Sequence, residues 1–148
     1  MRLNLNKTII TMQILKEALQ KEGLRYTQQR QEIWNELCSS DEHRDAEEIF
    51  FTLQKRGLGI SRATVYRTID VLVKNKLIDK LDIGDGRARF EYNEKYLHHD
   101  HLVCTRCGKI VEFYNDEIEE LQNEIAKQYK FTLLDNRHQL FGICKDCQ

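Results

Sequence analysis

Two cysteine pairs, Cys104-x-x-Cys107 and Cys144-x-x-Cys147, constrain the fold of this 148-residue chain more than any other feature. Two intervening residues let both sulfurs of a pair reach one metal ion at about 2.3 Å, and a second pair completes a tetrahedral four-thiolate site. Gly108 follows the first pair and suits the tight turn of such a knuckle. A site closed in this way is structural, and the free energy of zinc binding becomes folding free energy. A lone CxxC is equally compatible with a redox dithiol, but two pairs bracketing one short stretch favour zinc, as does a reducing cytosol. Cys38 stands apart, on an apolar helical face with Trp34 and Leu37, and is read as a small core residue.

The chain contains no proline, so boundaries are read from glycine, caps and periodicity. Residues 8–22 carry Ile10, Ile14, Leu15 and Leu19 at helical spacing, and Gly23 ends the run. Thr27 caps a second helix with Ile33, Trp34 and Leu37 on one face. Asp45 and Glu48 form a capping box for a third, which buries Ile49, Phe50 and Leu53. Ser61 caps a fourth, with Val65, Ile69, Leu72 and Val73 inward. Two β-like runs follow, Leu77–Asp82 and Ala88–Tyr92, joined by Gly84-Asp85-Gly86, a hairpin signal. Helices ending in a hairpin outline a winged helix.

Beyond Asn93 the pattern changes to a small α+β unit. Short strands near His101–Val103 and Ile110–Phe113 flank the first cysteine pair. A helix over 115–129 carries Ile118, Leu121, Ile125 and Tyr129 on one face, and a last strand runs near Phe131–Ile143. The predicted domains are 1–92, with 1–15 as an N-terminal extension, a linker at 93–97, and 98–148. At 41% apolar and 32% charged residues the chain can bury a core. Halves this small need metal or dimerisation as further support. No stretch approaches the roughly 20 apolar residues of a membrane helix, and Lys16 and Glu17 fall too early for a signal-peptide core. A bacterial cytoplasmic protein without membrane contact is expected. The net charge of −1 by itself argues against nucleic acid. Residues 1–92 hold 16 basic against 14 acidic residues, and residues 93–148 hold 7 against 10, which suits a phosphate-facing first half and a metal-facing second.

His98-His99-Asp100-His101 stands just before the first cysteine pair. In an extended strand side chains alternate, so His99 and His101 point one way and His98 and Asp100 the other. One segment can thus feed two metal sites, whose imidazole and carboxylate ligands suit Fe²⁺, Mn²⁺, Co²⁺ or Zn²⁺. A solvated polar loop is the plainer reading of any one of these histidines. In the fourth helix, Arg62 and Arg67 are placed to meet phosphate or guanine, and Tyr66 to pack on a thymine methyl. Arg25 and Arg30 are placed to anchor the DNA backbone or enter the minor groove.

Gly23-Leu24-Arg25-Tyr26-Thr27 through Arg30, Ala63-Thr64-Val65-Tyr66-Arg67, His98-His99-Asp100-His101-Leu102-Val103-Cys104 and Cys107-Gly108-Lys109 occur in that order. With these motifs the chain resembles the ferric uptake regulator family over nearly its whole length. The resemblance implies an α+β protein, with an N-terminal winged-helix DNA-binding domain and a small α/β dimerisation domain with a four-cysteine zinc site. It implies a homodimer, or a tetramer made of two such dimers, that represses iron-uptake genes from a palindromic operator. Cys104, Cys107, Cys144 and Cys147 match the structural zinc ligands. His43, Glu91, His99 and His101 match the regulatory site, which takes Fe²⁺, with Mn²⁺, Co²⁺ or Zn²⁺ as substitutes. His98, Asp100 and Glu119 match a second site whose usual last histidine aligns with Asn136, while His138 lies two residues on. Arg25, Arg30, Arg62, Thr64, Tyr66 and Arg67 fall in the DNA-binding motifs. Gln28-Gln29 replaces a proline common in the family.

Other readings are a zinc-uptake regulator, a peroxide sensor (which usually has aspartate where Glu91 stands) and a zinc-ribbon interaction module that does not bind DNA. An enzyme acting on a small-molecule substrate is not expected, because the chain has no HExxH, nucleophile elbow or Gly-rich phosphate loop.

Overall fold

The computed structural model describes residues 5–40, 42–92 and 98–148. The predicted linker and the first four residues of the predicted extension lie outside them. The chain divides into two compact units, Met1–Lys95 and Tyr96–Gln148.

In the first unit local signals set the helix ends. Helix α1 spans Leu5–Lys21 and stops where Gly23 takes a positive φ of 67°, which lets the Leu24 N–H return to the Leu19 carbonyl at 2.9 Å. Helix α2, Gln28–Cys38, starts at Thr27, whose hydroxyl accepts from the Arg30 N–H. Strand β1 is the pair Arg44–Asp45, and helix α3, Ala46–Lys55, opens on the predicted capping box of Asp45 and Glu48. Helix α4, Arg62–Lys74, is capped by Ser61. Strands β2, Asp79–Asp82, and β3, Ala88–Glu91, form an antiparallel hairpin. Gly84 and Gly86 supply the positive φ angles of its turn.

The sheet order β1-β3-β2 completes a winged helix, with β1 antiparallel to β3. Strand β1 has no counterpart in the sequence expectation, because two residues carry no readable period. The core gathers Leu15 and Leu19 of α1, Ile33 and Trp34 of α2, Ile49 of α3 and Leu72 of α4. Burying each such side chain stabilises the unit by roughly 1.5–3 kcal/mol. Trp34 donates its indole N–H to the Thr11 carbonyl at 3.1 Å and meets the Tyr92 ring edge-on at 5.4 Å. Thr11 and Leu15, both within the predicted extension, therefore help to build the core.

The second unit holds strands β4, Asp100–Cys104, and β5, Ile110–Phe113, then helix α5, Asp116–Gln128, strand β6, Gln139–Gly142, and a 3₁₀ turn at Lys145–Cys147. Asn115 caps α5 by accepting from the Ile118 N–H. The sheet order is β5-β4-β6, with β5 antiparallel and β6 parallel to β4. The last strand is shorter than the sequence suggests, because residues 131–138 join no ladder. Leu102 pairs with Val111 on one side and Leu140 on the other, making an exposed apolar row across the sheet. Leu121 and Ile125 of α5 and Tyr129 just past its end are exposed too, and Leu134 is 95% accessible. No helix among the described residues is long and apolar enough to cross a membrane.

Candidate functional site

Parallel pairing explains how the four cysteines meet. Cys104 ends β4 opposite Gly142 of β6, so Cys144, two residues further on, emerges at the same end of the sheet. The first knuckle closes when the Gly108 N–H donates to the Cys104 carbonyl at 2.9 Å, with Gly108 at φ 74°. The second closes through the Cys147 N–H and the Cys144 carbonyl, also at 2.9 Å. Ligand atoms of all four residues then lie within 4.8 Å of one another. Cys107 Sγ and Cys144 Sγ are 3.7 Å apart, far beyond a disulfide bond. This spacing fits the edge of about 3.8 Å expected for a tetrahedron with metal–sulfur bonds of about 2.3 Å.

The electrostatics agree with that fit. Backbone N–H groups, that of Cys144 first and that of Cys107 next, hold the Cys104 thiol down to about 6. Hydrogen bonds to the neighbouring sulfurs, Cys144 first, push Cys147 up to about 12. Four thiols so close cannot all ionise unless a cation is shared among them, and zinc is the ion that this donor set fits.

The opposite end of β4 carries a different cluster. His98 Nε2 lies 3.3 Å from Asp100 Oδ1 and 3.1 Å from Glu119 Oε1, and His138 Nδ1 lies 3.5 Å from Asp100 Oδ2. Glu119 arrives from the first turn of α5, and His138 immediately precedes β6. Asp100 is 1% exposed, and among the described residues neither carboxylate oxygen accepts a well-formed hydrogen bond. The buried Asp100 and the partly buried Glu119 face imidazole nitrogens in a setting that a shared cation would compensate, and the mixed N/O donor set fits a divalent transition metal. Four strand steps of about 3.3 Å place this cluster about 13 Å along the chain from Cys104.

The sequence left open whether Asn136 or His138 completes this cluster. Asn136 donates its amide hydrogens to Glu119 Oε2 at 2.8 Å and Gln122 Oε1 at 2.7 Å, so it holds the Glu119 carboxylate in place. His138 is the imidazole that reaches Asp100.

In the first unit, β1 does more than widen the sheet. Arg44 pairs with Phe90, which sets His43 beside Glu91, with Nε2 and Oε2 2.6 Å apart and both side chains nearly buried. In the second unit the His99 and His101 rings face each other edge-on at 5.0 Å, as strand alternation predicts. Glu112, which sequence reasoning missed, lies opposite His101 in the β4–β5 register and 4.0 Å from His99. Only that register, unreadable in a linear pattern, marks it as a candidate donor.

On α4, Tyr66 and Arg67 are exposed. Thr64 serves the helix cap through its N–H and shares a 3.0 Å hydroxyl contact with Ser61. Arg30 donates to the Arg25 carbonyl at 2.5 Å, folding back over the start of α2. Arg62 and Tyr66 both bond to Glu47 of α3, a residue the sequence did not single out.

A winged-helix unit followed by an α+β unit with a four-cysteine cluster and a separate imidazole–carboxylate cluster defines a class of metal-binding regulator. Residues 21–141 match the model of the ferric uptake regulator family, and the chain belongs to that family. It is similar to the ferric uptake regulation protein of Campylobacter jejuni, 36% identical over 140 residues, covering 93% of this chain and 88% of that one. The Helicobacter pylori ferric uptake regulation protein is 37% identical over 134 residues, covering 90% and 89%. A solved structure of the Helicobacter pylori regulator, described as having three functional metal binding sites, superposes with a TM-score of 0.86 at 34% identity, covering 99% of this chain and 97% of that one.

Proposed function

We propose that the protein is an Fe²⁺-dependent cytoplasmic repressor of iron-uptake genes that binds a palindromic operator as a homodimer and catalyses no reaction. The observation that carries this reading is Asp100, a buried carboxylate without a hydrogen bond among the described residues, held among His98, His138 and Glu119 in a protein that also carries a winged helix. Such a cluster is stable when a divalent cation supplies the missing positive charge. The exposed Tyr66 and Arg67 near the start of α4 support DNA reading, with Arg25, Arg30, Arg62 and Thr64 beside them in the sequence motifs. The exposed apolar row of Leu102, Val111 and Leu140, and the exposed Leu121 and Ile125 of α5, support dimerisation through the second unit.

In this reading Cys104, Cys107, Cys144 and Cys147 hold structural zinc, and His98, Asp100, Glu119 and His138 hold a second ion. His43 and Glu91, paired in the first unit, and His99 and His101, adjacent in the second, contribute the regulatory ligands. Metal held by these ligands favours the DNA-binding state of the dimer. The coupling between metal and operator is then typically about 1–3 kcal/mol, and operator must tighten metal binding by the same factor.

The test is operator binding by zinc-loaded protein as free Fe²⁺ is titrated anaerobically, with Mn²⁺ and Zn²⁺ in parallel and salt held constant. Tightening by Fe²⁺ supports the iron repressor. Tightening only by trace Zn²⁺ makes the protein a zinc sensor, and an affinity indifferent to all three metals overturns the regulatory assignment.

A further inference from the structure

Glu47 has no capping role in α3, since Asp45 and Glu48 form the box. Its carboxylate instead serves two side chains of α4. Arg62 Nε donates to Glu47 Oε1 at 3.2 Å and to Oε2 at 3.0 Å, and Tyr66 Oη donates to Oε1 at 3.2 Å. The Arg62 guanidinium also lies over the Phe50 ring at 4.4 Å and the Phe51 ring at 5.5 Å. Arg62 is therefore fixed on one edge by charge and on one face by stacking. Its two Nη atoms make no hydrogen bond among the described residues and form the remaining edge.

A negative charge beside a DNA-reading helix opposes the phosphate backbone, so its presence calls for a compensating gain. We propose that Glu47 is a positioning residue for base reading: it holds Arg62 so that the Nη pair faces a guanine, and it engages the Tyr66 hydroxyl hydrogen so that the Tyr66 oxygen meets DNA as an acceptor. The inference deepens the regulator reading above and rests on it.

The chemistry of the two partners follows from their donors. A guanidinium presenting two parallel N–H groups matches O6 and N7 of guanine in the major groove. A tyrosine hydroxyl has one hydrogen to donate, and once that bond goes to Glu47, only lone pairs remain for a base. Those lone pairs match the amino group of adenine or cytosine and leave carbonyl acceptors unmatched. The hydroxyl stays protonated, because partial desolvation first and the Glu47 bond second raise its pKa above the usual phenol value. Arg62 thus reads a base through a carboxylate buttress and is not simply a phosphate anchor.

The experiment uses full-length, zinc-loaded protein with saturating Mn²⁺ and an operator selected by the wild type from a randomised duplex pool. Every single-base variant of that operator is then titrated against wild type, Glu47→Ala, Arg62→Ala and the double variant. Wild type should prefer guanine at one position of each half-site by roughly five- to a hundredfold, the range for one good bidentate contact. Glu47→Ala should flatten that preference to within about twofold while binding scrambled duplex as well as wild type or better, since a repelling charge is gone. Glu47→Ala should add nothing once Arg62 is alanine, and Glu47→Gln, which keeps the acceptor oxygen, should restore part of the preference. Wild-type discrimination in Glu47→Ala, or an equal loss on every duplex, overturns the proposal. If wild type enriches no sequence from the pool, the regulator reading itself fails.

Discussion

Asn136 donates to Oε2 of Glu119 at 2.8 Å, and the other oxygen of that carboxylate is thereby turned to His98, 3.1 Å away. A ligand held by a neighbouring amide is pre-aimed, and losing such a partner typically lowers metal affinity about 10–100-fold. Asn136→Ala should weaken binding at the His98–Asp100–Glu119 cluster by roughly that factor while the four-cysteine site keeps its zinc. Calorimetric Mn²⁺ titration with a parallel thiolate–zinc assay checks both halves of this expectation. Equal loss at both sites would point to general unfolding of the second unit.

The two functions of the molecule should separate under mutation. Tyr66→Ala is expected to lower operator affinity about tenfold, a typical loss for one base-edge contact, with metal affinity unchanged. His99→Ala is expected to abolish the tightening of DNA binding by metal while leaving the basal, metal-free affinity intact. Fluorescence anisotropy with and without Mn²⁺ distinguishes the pair.

Removing zinc from the four-cysteine site should unfold the second unit. A structural zinc contributes on the order of 10 kcal/mol of apparent binding free energy, more than so small a core supplies alone. Cys107→Ser, or prolonged chelation, should erase the amide dispersion of residues 98–148 in NMR spectra. The winged-helix signals should persist.

Helix α1 should prove necessary to the first unit. Trp34→Ala removes a ring packed against Tyr92 and an indole bond to Thr11, and should cost about 3–5 kcal/mol in chemical denaturation. Trp34→Phe keeps most of the packing and should cost clearly less. Equal losses would mean that the indole bond, and not the ring volume, anchors α1.

The wing supplies a pH test. Hydrogen bonds from Arg89 first, and from the Arg87 N–H next, hold the Asp85 carboxyl at about 2, below its usual 3.8. Because the folded value is depressed, the stabilisation is complete above the ordinary carboxylate range and disappears as pH falls through about 2. Carboxyl-resolved NMR should place the Asp85 midpoint near 2 in the wild type and return it towards 3.8 in Arg89→Ala. An unchanged midpoint in the variant would show that Arg89 is not the cause.

The helices of this protein were legible in the sequence because their signals are local. Thr27, Asp45 with Glu48, Ser61 and Asn115 each act on a backbone group three residues away. The alternation in His98-His99-Asp100-His101 likewise foretold two differently directed pairs. Strand β1 was not legible, since a two-residue strand exists only because the edge of β3 offers it a ladder. Glu112, Glu47 and the supporting role of Asn136 were missed for a related reason. Each matters through a partner remote in sequence, and register, helix packing or a loop path brings the two together.

The choice between Asn136 and His138 marks the same boundary. Residue identity and spacing alone determined the winged helix, the thiolate site and a second set of N/O donors, because caps, periods and CxxC turns act over a few bonds. Which donor faces which was decided by the tertiary structure. The parallel β4–β6 pairing puts Cys144 beside Cys104 and His138 beside Asp100, and a one-residue slip of that ladder would turn every one of these side chains to the other face.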